Sequence, residues 1–145
     1  MNKSILIKRS PRLSAALIFV SCLGICGTAI GADNAKPNQV ESLKITILST
    51  MLSEKYIGEW GFAALVEADG HRILFDTGNH PDTVLRNADA LGIDLAGIEE
   101  VVLSHNHSDH TGGLAALRGT LRKTNPAALS RAHVGRGIFW KRLGR

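Results

Sequence analysis

His105-Asn106-His107-Ser108-Asp109-His110 places three imidazoles and one carboxylate within six consecutive residues. Imidazole nitrogen and carboxylate oxygen are ligands that zinc prefers, and iron and manganese accept the same set. His105 and His107 stand two apart. An extended chain would turn both to one side, where they could share an ion. Asp109 and His110 lie further round the turn and would face a second ion. The plain alternative is a polar surface loop that is His-rich by chance, and the flanking residues argue against it.

Glu99-Glu100 lead into Val101-Val102-Leu103. This short apolar run with β-branched residues reads as a buried strand. Thr111-Gly112-Gly113 then break the chain, and Leu114-Ala115-Ala116-Leu117 open a helix. The candidate ligands therefore leave the end of a buried strand, where a rigid scaffold can fix them.

The stretch Ser104 to Leu114 resembles the His-x-His-x-Asp-His motif of the metallo-β-lactamase superfamily. Leu74-Phe75-Asp76-Thr77-Gly78 resembles that superfamily's first motif, a strand ending in an Asp-Thr-Gly turn, and the separation of the two motifs fits. Glu59 to Glu67 is similar to a subgroup related to dihydropterin-ribofuranosylaminobenzene phosphate synthases. The resemblance spans roughly residues 43 to 140. It implies an α/β fold: the N-terminal half of an αββα sandwich, incomplete as it stands. It implies that His105 and His107 bind a first metal, and Asp109 and His110 a second. Zinc is the expected ion, with Fe or Mn as alternatives. Asp109 would also orient the attacking water. Asp76 would stand behind the ligands and organise their loop, although a turn-forming Asp before Gly78 would sit there too. The activity implied is hydrolysis, with metal-activated water attacking an ester, amide, thioester or phosphoester. The subgroup would allow a pterin-linked transfer instead.

Ligand arithmetic bears on whether this chain is itself an enzyme. A catalytic zinc has three protein ligands and one open position. Four ligands split over two ions leave two each, and the superfamily supplies the rest from downstream. The only histidine after the motif is His133. It lies closer than the superfamily's next ligand usually comes, so a place near the substrate pocket or in an ordinary loop is expected for it. Trp60, in the loop Thr50 to Gly61, is also expected near the metal site. His80 reads as a helix-entry residue and His71 as an exposed one. The alternative to a hydrolase is an inactive half-domain that binds metal without turning over.

The N-terminus suggests export. Lys3, Lys8, Arg9 and Arg12 precede a mostly apolar stretch from Leu13 to Ile30, and small residues follow at Ala29-Ile30-Gly31. This is the pattern of a secretory signal peptide over residues 1–31, with a membrane anchor as the alternative. Residues 32–42 form a polar linker, and 43–145 the folded portion. Both cysteines, Cys22 and Cys26, fall in the leader, so the exported portion would need no disulfide. The leader takes four of the 17 basic residues and none of the 13 acidic ones, leaving 13 of each. That neutral balance argues against a nucleic-acid partner. A periplasmic or secreted protein with a small-molecule substrate and no membrane anchor after cleavage is expected. No acidic residue follows Asp109, while basic residues run from Arg118 to Arg145. They form either a solvated face or a site for an anionic substrate. Oligomeric state is not written in these residues.

The remaining elements follow from pattern. Leu43 to Ser49 alternates as a first strand. Phe62 to Ala68 and His71 to Phe75 flank Asp69-Gly70, a hairpin signal. A helix is expected from Pro81, with Val84, Leu85, Ala88 and Leu91 on one face and Gly92 as its stop. Lys123 to Ser130 is a loop, and Gly135 to Trp140 a short strand or substrate loop. About 114 residues after leader removal would bury a modest core and leave one sheet face uncovered.

Overall fold

The computed structural model describes residues 5–8, 39–138 and 140. Strands β1 (Ile5–Lys8), β2 (Ser42–Ser49), β3 (Ala63–Ala68), β4 (His71–Phe75), β5 (Glu100–Leu103) and β6 (Arg131–Val134) lie side by side in chain order. The pairs from β1 to β4 are antiparallel, whereas β5 joins β4, and β6 joins β5, in parallel. Helices α1 (Thr83–Ala90), α2 (Ser108–Thr111) and α3 (Leu114–Leu121) occupy the connections. The class is α/β, as the sequence implies. Of residues 1–31, where a leader is expected, only Ile5–Lys8 falls among the described residues, and its backbone pairs with β2. The rest of the expected leader, with both cysteines, and residues 32–38 of the expected linker lie outside them.

The hairpin sets the register. Asp69 and Gly70 both take positive φ, 49° and 84°, as a two-residue turn with the strands' own twist requires. Ala68 then faces His71, Val66 faces Ile73 and Ala64 faces Phe75. The same alternation puts Leu48, Leu65, Leu74 and Val101 on one face, fully buried with Val84, Ala88 and Leu117 of the helices. Burying each such side chain contributes about 2 kcal/mol. The opposite face carries Ile45, Ile47, Val66, Ile73, Phe75 and Val102, all half-buried. The sheet is thus apolar on both faces, as in strands built to be covered from both sides.

Two expectations are corrected. The helix begins at Thr83, not Pro81. Glu59 accepts the backbone N–H groups of Asn79 and His80 and the Thr83 hydroxyl, which holds residues 79–82 as a turn outside the helix. The described residues of Gly135 to Trp140 form no strand, which leaves the loop alternative. The strand is Arg131–Val134, whose residues pair in parallel with Glu100–Leu103, and Gly137 at φ 84° then turns the chain away.

Two buried polar side chains clasp the long connection between β2 and β3. Asn87 of α1 donates to the carbonyls of Leu48 (2.8 Å) and Ile57 (2.9 Å) and accepts the Ile57 N–H (2.9 Å). Glu59 takes the Ser49 hydroxyl (2.6 Å), the His80 ring Nδ1 (2.7 Å) and the three donors already named. Burial alone would raise the Glu59 pKa. The bonds from Ser49, the His80 and Asn79 amides and the His80 ring outweigh it and hold the group below the ordinary 4.5.

Asn87→Ala leaves buried backbone groups unmet and should cost roughly 3 kcal/mol. It will appear as a lower urea midpoint at unchanged slope. For Glu59, a lowered folded pKa means stability that is complete above 4.5 and lost as pH falls through the folded value. Glu59→Gln should therefore be destabilised most near neutral pH. The gap to wild type should close as pH drops below 4.5 in a series of denaturation curves.

Candidate metal centre

Parallel pairing of β4 with β5 brings the ends of both strands out at one edge of the sheet. Asp76 follows β4 there and Ser104 follows β5. Asp76 is fully buried with φ at 54°, a left-handed conformation that Asp tolerates better than most residues. Its N–H donates to Val102 O at 2.8 Å, which ties the turn to β5. Its carboxylate accepts the Ser104 N–H (2.8 Å), the Ser104 hydroxyl (2.7 Å) and His110 Nδ1 (2.7 Å). Thr77 adds its N–H and hydroxyl to the His110 carbonyl, at 2.8 and 3.0 Å.

The Asp-Thr-Gly turn and the Gly-Gly break interlock through bare backbone. A Cβ on Gly113 would strike the Thr77 carbonyl, and one on Gly112 the Asn79 carbonyl. The two glycines therefore let α2 and α3 close onto the turn rather than merely ending a strand. Phe62 N–H also reaches the Asp109 carbonyl at 3.0 Å, so the connection before β3 is pinned to the same loop.

The network fixes the imidazoles. The Ser104 hydroxyl hydrogen goes to Asp76, so the 3.0 Å contact between Ser104 Oγ and His105 Nδ1 needs the hydrogen on the imidazole. His110 likewise donates from Nδ1 to Asp76. In the neutral tautomer both rings keep a lone pair on Nε2, the form in which histidine binds a metal. His105, His107 and Asp109 each offer a ligand atom within 4.8 Å of the others. Ligands about 2.1 Å from one ion lie up to about 4.2 Å apart, so a small side-chain rotation closes the set. The residues present fit a metal ion.

Asp109 groups with His105 and His107, and its Oδ2 also lies 3.4 Å from the Nε2 of His110, the residue expected to share an ion with it. Its position in the first turn of α2 brings it within reach of all three imidazoles.

His133 is not brought to this cluster. It is exposed on β6, with Nε2 2.6 Å from Glu100 Oε2. The hydrogen bonds from Arg131 and His133 hold Glu100 below the ordinary carboxylate range, and Glu100 raises the Arg131 pKa in turn. Trp60 is 70% exposed, one residue from Gly61, whose Cα lies against the backbone of Asn79 and Asp109. His71 is exposed, as expected, and His80 stands at the helix entry with its ring on Glu59. Sequence reasoning missed Glu59, Asn87 and Asn106 as organisers. A signal existed for Asn87, a polar residue three positions after Val84 on the buried stripe of α1. Asn106 donates to the Ile138 carbonyl at 2.8 Å, a contact with no local signature.

Residues 61–140 match the family described as the metallo-beta-lactamase superfamily. Over 99 residues the chain is 34% identical to 7,8-dihydropterin-6-methyl-4-(beta-D-ribofuranosyl)-aminobenzene-5'-phosphate synthase of Methanocaldococcus jannaschii, covering 61% of this chain and 32% of that one. Over 86 residues it is 37% identical to ribonuclease Z of Mycobacterium marinum, covering 59% and 30%. A solved metallo-beta-lactamase of Cronobacter sakazakii superposes with a TM-score of 0.46 at 23% identity, over 65% of this chain and 31% of that one. The chain spans about a third of the length of the curated relatives it matches. The matched stretch exceeds half of the 145 residues and contains Asp76 and all of His105 to His110. On that match, the chain belongs to the metallo-beta-lactamase superfamily.

Proposed function

We propose that the protein is an exported, metal-dependent hydrolase acting on a small molecule. Its ion, zinc by ligand chemistry, would be held by His105, His107 and Asp109, with Asp109 and His110 placed for a second. The observation that carries this reading is the convergence of three ligand atoms within 4.8 Å beside a histidine oriented by a buried carboxylate. Superfamily membership, with hydrolase relatives, supports it. The basic leader and its apolar stretch support export.

A divalent ion bound there supplies Lewis acidity and lowers the pKa of water toward neutrality. The chain's own residues do the rest. Asp109, half-buried, would orient the attacking water. Asp76 keeps His110 in the Nδ1–H tautomer and, through Ser104, steadies His105. Trp60 is exposed next to Gly61, whose backbone lies against that of Asp109, and its ring would offer a flat apolar surface for the body of a substrate. The basic residues after Asp109 would suit an anionic group on it. Pterin-linked transfer is the second reading, favoured by the 99-residue similarity to the pterin synthase.

The purified chain, loaded with zinc, should retain at least one ion by elemental analysis. It should hydrolyse a member of a panel of esters, thioesters, amides and phosphodiesters, and a chelator should abolish that. His107→Ala should cut both metal content and activity, the latter about 100-fold or more. Activity indifferent to His107→Ala would overturn the proposal.

A further inference from the structure

The turn after β6 leaves the sheet at the same edge as the candidate ligands. Leu103 pairs with Val134 in the parallel ladder, so the chain beyond each strand emerges in step. Gly135 to Ile138 then form a turn, in which Ile138 N–H donates to Gly135 O (3.2 Å), and Trp140 N–H donates to Gly137 O (2.9 Å). Ile138 packs against the core, and the Trp140 ring lies over Gly137, 70% exposed. β6 itself is exposed along its length. The metal loop reaches this turn through a side chain, the Asn106 Nδ2 bond to Ile138 O at 2.8 Å.

Asn106 stands between two candidate ligands. His105 and His107 bring their ring nitrogens together, whereas Asn106 reaches the turn. Its Oδ1 is buried without a hydrogen-bond partner among the described residues, a cost that folded proteins seldom bear. The amide is therefore held for what Nδ2 does. An ion shared by His105 and His107 would fix both chain neighbours of Asn106, and with them its backbone. Freedom removed there is removed from the turn as well, because the two are bonded.

We propose that Asn106 is a positioning residue that ties the turn after β6 to the metal loop, so that ion binding at His105 and His107 fixes where Trp140 stands. This rests on the metal-centre reading above, and the test separates the two.

The chain has two tryptophans, so Trp60→Phe leaves Trp140 as its sole indole reporter. In that full-length protein, zinc should bind by calorimetry and reduce acrylamide quenching of Trp140 at least about twofold. Adding Asn106→Leu, or Asn106→Ser where Leu does not fold, should abolish the zinc-dependent change in quenching. Zinc affinity should stay within about threefold of the Trp60→Phe parent, since the ligands are untouched. An undiminished Trp140 response in a zinc-binding Asn106 variant would overturn the strut. Loss of zinc binding in both variants would overturn it too, because Asn106 would then act on the ion site itself. Absence of zinc binding in the parent would instead sink the metal-centre reading on which the proposal stands.

Discussion

The Asp76 carboxylate, shut away from solvent at the end of β4, accepts a backbone amide, a hydroxyl and an imidazole from the loop that leaves β5. A buried charge without such donors would cost several kcal/mol, so the loop and the carboxylate need each other. The geometry that lets them meet comes from the sheet. Parallel strands deliver their C-terminal ends to one edge, and a left-handed Asp aims its side chain across to the neighbouring strand's exit. From this point the order of the site propagates outward: directly to His110, through Ser104 to His105, and by the short turn of α2 to Asp109.

A second tier keeps the surrounding loops from drifting. Glu59 gathers donors from β2, from the turn after Asp76 and from the head of α1, and Asn87 stitches the same connection to the helix flank. These are non-local polar contacts in the interior, where a missed partner is expensive and a satisfied one is specific. The Gly112–Gly113 contact with the Thr77–Asn79 backbone performs the same service without side chains. Together with these contacts, Phe62 and Thr77 donate their N–H groups to the carbonyls of Asp109 and His110.

What could be read from sequence was local chemistry. The Asp69-Gly70 hairpin demands positive φ at two successive residues, and little else satisfies that. Gly92 ends α1 for the same reason. The histidine cluster and Asp76 stood out because His and Asp at this spacing are the residue types that metal ligation calls for. Contacts that depend on distant partners were not legible. The start of α1 was displaced by a carboxylate more than 20 positions upstream, at Glu59. The strand after Pro126 was set by what could pair with β5, which favoured Arg131–Val134 over the more apolar Ile138 to Trp140. α2 is a single turn capped by the His107 carbonyl, too short to show a period, yet it swings Asp109 toward all three imidazoles.

The central claim is that a buried carboxylate organises a metal-binding loop. It is tested most directly by zinc titration calorimetry on the wild-type chain and on Asp76→Asn. The substitution preserves shape but removes the charge that His110 and Ser104 address. The account predicts that wild type binds zinc and that Asp76→Asn binds it about 10- to 100-fold more weakly, with the ligands themselves intact. Equal zinc affinity in the two proteins would contradict it.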